Sequence, residues 1–215
     1  MRTLPLEQAV AKIPGGATLM IGGFMAVGTP ERIIDELVRQ NKRDLTVIAN
    51  DTAMPGKGIG KLVEAKLLRK IIVSHIGLNP ETQRQMMAGE LEVELVPQGT
   101  LIERIRAGGH GLGGILTQTG LGTDVENGKQ RIAVGGKDYL LETALRADFA
   151  LVQAFLADYL GNLSYALTAR NFNPLIAMAA ETVIVCAENI VPVGVLPPDQ
   201  VVTPAPIVDY LVANL

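Results

Sequence analysis

The chain has 215 residues and a formal net charge of −3. That is long enough to bury one sizeable core, and too weakly charged to favour nucleic acid or an anionic membrane as a partner. Hydrophobic residues make up 48%, the mark of a folded globular protein rather than a disordered one.

The start, MRTLPLEQAV, is too polar for a signal peptide. No apolar run approaches the roughly 18 residues that span a bilayer. The expectation is a cytoplasmic protein forming a single domain, 1–215, with no membrane partner.

TLMIGG predicts a strand that runs into a glycine turn, Gly22 to Pro30. A helix over 30–40 follows, with Ile33, Ile34, Leu37 and Val38 on one face. Thr29 is read as its N-cap and Pro30 as its first turn. LTVIA (45–49) and KIIVS (70–74) predict two buried strands, with a short helix from GIGKLVEAKL between them. NPETQRQMMAGE reads as a helix opened by Asn-Pro. LEVELV (91–96) alternates strictly, which predicts a strand with Glu92 and Glu94 on a wet face. TLIERIRAG reads as a helix closed by Gly108.

Residues 108–123 are rich in glycine and threonine and read as a long functional loop. Strands follow in QRIAVGGKDYLLE, FALVQA and LSYAL, then a short helix in NPLIAMAA and a buried strand in ETVIVCA. The proline-rich tail ending IVDYLVANL is expected to dock on a surface. Strand–helix alternation predicts an α/β fold, a largely parallel sheet flanked by helices.

In such sheets ligands gather at the carboxyl ends of strands. Gly22-Gly23-Phe24, Asn50-Asp51-Thr52, Ser74-His75 and Gln98-Gly99-Thr100 all fall there. Together they offer backbone amides and the side-chain amides of Asn50 and Gln98, all neutral donors. Each cluster alone is also ordinary turn chemistry.

Other devices fit poorly. The turn lacks the lysine of a P-loop. The G-x-G-x-x-G from Gly109 to Gly114 follows a helix instead of a strand, against a dinucleotide site. Two histidines and one cysteine, Cys186 in an apolar run, provide no metal-ligand spacing, and a lone cysteine excludes an internal disulfide. Ser74 and His75 are adjacent on a strand and so point to opposite faces. Glu126 precedes Asn127-Gly128, a type I′ hairpin-tip signal.

With these features in place, the chain resembles the α (A) subunit of class I coenzyme A-transferases over essentially its whole length. Leu19 to Pro30 matches the family signature: three apolar residues, Gly-Gly-Phe, three residues, Gly, any residue, Pro. IANDT (48–52), GELEVELVPQGTLIERIRAGG (89–109), LTQTGLGT (116–123), ADFALVQA (147–154) and TARNFNPLIAMAA (168–180) match in the same order. Gly15 stands where the family usually has Asp or Asn.

The resemblance implies a NagB/RpiA-like fold and exchange of CoA between an acyl-CoA and a short-chain carboxylate, of the acetate, acetoacetate or butyrate type. A succinyl-CoA:3-oxoacid enzyme is the alternative. It implies that Asn50 and Gln98 line the reaction centre. Gly22, Gly23, Phe24, Gly28, Gly99 and Gly109 are assigned to the substrate and CoA surface, Phe24 as a packing residue. Asp51-Thr52 replaces the Asn-Ala of succinate-using members.

The nucleophilic glutamate is expected on a partner β subunit in an A2B2 assembly. Here Val125 replaces the serine of the family's Ser-Glu-Asn-Gly, so Glu126 is read as a decoy. No metal and no cofactor is expected, CoA thioester being a substrate. A sugar-phosphate isomerase and a non-catalytic acyl-CoA-binding subunit are the competing readings.

Overall fold

The computed structural model describes residues 1–213. In chain order the first half runs β1 (Arg2–Leu4), α1 (Leu6–Ala11), β2 (Thr18–Ile21), α2 (Glu31–Arg39), β3 (Leu45–Ile48), α3 (Gly60–Glu64), β4 (Leu68–Val73), α4 (Pro80–Met87), β5 (Glu92–Leu95) and α5 (Gln98–Gly109). Then come β6 (Gly114–Thr117), β7 (Arg131–Val134), β8 (Lys137–Thr143), β9 (Ala147–Asp158), β10 (Leu163–Ser164), α6 (Asn173–Ile176), β11 (Ala180–Val191) and β12 (Tyr210–Val212).

The main sheet has the order β1-β12-β11-β9-β2-β3-β4-β5. Every pairing along that path is parallel, and only β10 runs antiparallel, beside β9. This is the expected α/β architecture.

Its central strands, β2, β3 and the middle of β9, are buried on both faces, as parallel strands between helices must be. Leu19, Ile21, Val47 and Ile71 pack with α1 to α3. Met20, Ile48, Ile72 and Ala150 pack with α5 and α6 on the other face. From β2 the chain lays strands outward to β5, then returns to place β9 on the opposite side of β2. The topological switch point is therefore between β2 and β9, where such sheets open a crevice.

Several expectations need correction. Thr29 does not cap α2: the cap position is Pro30, without a side-chain bond. The Thr29 hydroxyl instead donates to Gly22 O at 3.0 Å. Gly108 does not end α5, which continues to Gly109. A side chain at Gly108 would meet the Leu145 carbonyl, so close packing explains that glycine.

The 108–123 stretch is not one long loop. Gly114–Thr117 pairs with β8 in a separate antiparallel sheet, β6-β8-β7. Glu92 is exposed as expected, but Glu94 is partly covered by Arg104 from α5 at 3.1 Å, and Leu95, expected inside, is exposed. Asn127-Gly128 is not a hairpin tip. Asn127 (φ −56, ψ 125) and Gly128 (φ 76) form a type II turn closed by Lys129 N to Glu126 O. The β7–β8 hairpin turns instead at Gly135-Gly136.

The tail is built into the sheet: β12 lies between β1 and β11. The final residues of IVDYLVANL, Asn214 and Leu215, lie outside the described residues. No described helix is long and apolar enough to cross a membrane.

Candidate functional site

The glycine turn after β2 is a strained two-residue hairpin. Phe24 and Val27 exchange backbone hydrogen bonds at 3.0 and 2.9 Å. Met25 (φ 49) and Ala26 (φ 69) between them are both left-handed, at about 1–2 kcal/mol for each non-glycine residue. Such strain persists only where the surroundings impose it.

Three groups impose it here. Asp51 Oδ2 accepts from Met25 N at 2.9 Å. The Thr29 hydroxyl ties back to Gly22. Asn173, fully buried, donates from Nδ2 to Gly28 O at 2.9 Å and accepts Gln153 N on Oδ1 at 3.0 Å. Gly22 is glycine because a Cβ would sit 1.9 Å from Asn173 Oδ1. Gly28 combines a φ of +75 with the Ala169 side chain 2.6 Å from where its own would be.

Clamped this way, the turn lifts Phe24 and Val27 outward, 40% and 54% exposed. Phe24 is thus presented at the surface and does not pack as expected, since the hairpin leaves it no core to enter.

Asp51 is committed to structure: its second oxygen accepts Ala53 N at 2.6 Å. Thr52 is likewise tied, to Thr82 and, through its carbonyl, to Asn79. Asn50 differs. It is 1% exposed, and its Oδ1 accepts from the Ser74 hydroxyl at 2.8 Å. Its Nδ2 is the one buried side-chain polar atom among the described residues with no hydrogen-bond partner. Leaving such a donor unmet costs about 1–3 kcal/mol.

Gln98 opens α5 two strands away, roughly 10 Å at ordinary strand spacing. It is exposed, as is Gly99. α5 has no acidic residue in its first turn and no side-chain cap, so its positive end is left uncompensated. In α2, by contrast, Glu31 occupies the first turn. The structure thus joins Asn50 to Ser74 and holds Gln98 apart on the same edge. Gly22 and Gly23 are buried beneath the turn. Gly109 lies in α5 with Met178 where its side chain would be, which gives it a packing role.

A cleft of about 690 Å³ opens at the switch point, lined by Gly28, Thr29, Arg32, Gln153, Cys186 and Glu188 among others. Neither Asn50 nor Gln98 lines it. Burial pushes the Cys186 thiol up to about 12, so it is no thiolate nucleophile. Sequence reading missed this cleft and the Asn173 clamp. Asn173 carried a signal, the motif NFNP, but not its partner 145 residues away.

Glu126 accepts from Gly122 N and pairs with Arg131, which together hold its carboxyl below the usual range. Among the described residues no cluster of three or more His, Cys, Asp or Glu could hold a metal.

A family model described as coenzyme A transferase matches residues 3–214. The chain is 53% identical over 213 residues to an acetate CoA-transferase subunit alpha of Escherichia coli (strain K12), covering 99% of this chain and 97% of that one. It is 53% identical over 197 residues to an acetoacetyl-CoA:acetate/butyrate CoA transferase alpha subunit of Clostridium acetobutylicum, covering 92% and 90%. Among solved structures, an acyl-CoA transferase from E. coli O157:H7 in a thioester complex with CoA superposes with a TM-score of 0.88 at 23% identity. That likeness covers 99% of this chain and 47% of the other, so this chain spans about half its length.

Proposed function

The chain belongs to the coenzyme A transferase family, and on that premise we propose that it is the α subunit of a short-chain acyl-CoA:carboxylate CoA-transferase. It works with a β subunit, as an A2B2 assembly in the cytoplasm. Relatives named as alpha subunits support the partner. Acetyl, acetoacetyl and butyryl groups are the substrates those names favour.

The observation that carries the reading is the row of neutral donors on the β3–β5 edge, with the Asn50 NH2 buried and unmet. In the proposed reaction a glutamate of the β subunit attacks the thioester carbonyl. The carbonyl oxygen becomes an oxyanion in the tetrahedral intermediate, and CoA thiolate leaves as the acyl-glutamyl anhydride forms. The thiolate then attacks the glutamyl carbonyl to give a glutamyl-CoA thioester and release the first carboxylate. A second carboxylate reverses both steps.

Each intermediate carries its charge on oxygen, and fixed neutral N–H groups stabilise it without reorganising. Asn50 Nδ2, the Gln98 amide and the open first turn of α5 are this chain's donors. The strained hairpin shapes the wall beside them. No cofactor enters, because CoA arrives and leaves as substrate.

The test is CoA exchange by the chain alone, by the chain co-purified with its β subunit, and by that complex carrying Glu126→Gln. Acetyl-CoA, butyryl-CoA and succinyl-CoA serve in turn as donors with acetoacetate or acetate as acceptor. Turnover is expected only from the complex, and Glu126→Gln keeps it within about twofold, since surface changes act weakly. Turnover by the isolated chain, or its loss with Glu126→Gln, would place the nucleophile here and overturn the reading.

A further inference from the structure

We infer that two strained turns, the Phe24–Val27 hairpin and the short 3-10 turn Leu167–Arg170 before α6, together form the surface on which the β subunit docks. The inference rests on the two-subunit reading proposed above. Among the described residues, seven besides glycine have a positive φ. Asn41 and Asp44 are of types that tolerate such backbone. Met25, Ala26 and Leu167 are not, and these three fall in the two turns. Leu167 (φ 50) is 89% exposed, so burial of its own side chain does not offset the strain.

One buried side chain fastens both turns. Asn173 Nδ2 donates to Gly28 O and to Ala169 O, each at 2.9 Å. The Ala169 methyl fills the space that a side chain on Gly28 would take. The turns are therefore held against each other, although Asn173 and Gly28 are 145 residues apart.

What the joined turns present is apolar. Phe24 and Val27 stand out from the hairpin. Beside the second turn, Leu167 and the exposed Phe155 line a cavity of about 490 Å³ with Leu156 and Tyr165. Exposed apolar groups gathered in one place mark a contact with another molecule, and aromatic residues are enriched at the core of protein contacts. Strained backbone kept in order to present them points to the same use.

The position of the surface names its occupant. The hairpin follows β2 at the carboxyl end of the sheet, and Asp51, just past β3, holds Met25 N. The glutamate of the proposed exchange reaches that end from another chain, and a subunit that delivers it there covers the hairpin. A second copy of this chain would bring no such glutamate.

The test uses complexes co-expressed with a tagged β subunit, their dissociation followed on dilution by analytical ultracentrifugation. Val27→Asp and Leu167→Asp are each expected to raise the α–β dissociation constant about tenfold or more. Leu167→Gly suits the left-handed backbone and removes only the side chain, so misfolding does not enter its effect. It is expected to raise the constant about fivefold. Met87→Asp, at an exposed apolar residue on α4, leaves it within about twofold. At concentrations where the complex is intact, kcat and KM for acetyl-CoA stay within about twofold for Leu167→Gly.

Dissociation constants unchanged for Leu167→Gly and Val27→Asp overturn the inference, as does an equal loss from Met87→Asp. A raised KM for acetyl-CoA with an unchanged dissociation constant gives the surface to the substrate instead. Loss of α–α contact with the α–β pair intact gives it to a second copy. Either result overturns the inference while the functional reading stands. A wild-type chain that neither retains a β subunit nor exchanges CoA with one sinks that reading, and this inference with it.

Discussion

The β3–β5 edge of the main sheet and the small β6–β8 sheet are both polar, yet they treat their polar groups in opposite ways. Around the small sheet the charges are matched. Glu142 is 2% exposed and lies against Lys129 and Arg104. Arg104 also reaches Glu94 and the Thr143 carbonyl, and Glu94 in turn meets Lys70. On the sheet edge the donors are uncharged: Asn50 Nδ2 is buried with no partner among the described residues, and Gln98 is exposed. Closed charge networks hold pieces of a fold together. Open neutral donors are destabilising by themselves and make sense where a ligand completes them.

The largest effect that would test this contrast is Glu142→Ala. It leaves Lys129 and Arg104 facing each other without their shared anion. The expected loss of stability is about 3–5 kcal/mol, the usual result of breaking a buried pair on one side. Urea or thermal unfolding reads it, while the folded complex keeps its kcat. A large fall in kcat without unfolding would break the comparison by making the small sheet part of the chemistry.

Next is Gln98→Ala, which should lower kcat about 100-fold with the unfolding midpoint unchanged, as for loss of one oxyanion donor. A change in stability in place of rate would return Gln98 to ordinary helix-start chemistry.

The smallest effect is in acid. Burial pushes the Glu94 carboxyl up, but the hydrogen bond and charge of Arg104, helped by Lys70, outweigh it, and the folded value lies below the ordinary one. A lowered carboxyl pKa stabilises the fold above its unfolded value, about 4.3, and that contribution fades as pH drops toward the folded value. The urea midpoint should therefore fall less steeply below about pH 5 in Glu94→Gln than in wild type. The difference is small because the side chain is 36% exposed and water screens the pair. Equal slopes would show that the clamp does not depend on this charge.

Much of the architecture was legible in the chain. The apolar runs of TLMIGG, LTVIA (45–49) and KIIVS (70–74) fall in β2, β3 and β4, and the period over 30–40 put Ile33, Ile34 and Leu37 in the core. The errors have physical reasons. Alternation in LEVELV marks a fully wet polar face only if no neighbour reaches it: Glu92 stays exposed, but Arg104 covers part of Glu94, and Leu95 on the apolar face is left exposed. Asn-Gly favours a type I′ turn between paired strands, but only the chain after Gly128 pairs here. The glycines of 108–123 disguised a strand whose partner, β8, begins at Lys137.

The sequence by itself determined the kind of layer, the strand and helix periods, the unusual glycine turn and the uncharged character of the strand-end groups. These follow from neighbours along the chain, where periodicity and turn chemistry act. Only the tertiary structure decided that β12 sits between β1 and β11, that Asn173 clamps Gly28, that the switch-point cleft opens beside β9, and that the Ser74 hydroxyl meets the Asn50 side chain. Each of those depends on groups distant in sequence meeting at a few ångströms. Such meetings are set by how the layers pack, and no local pattern encodes them.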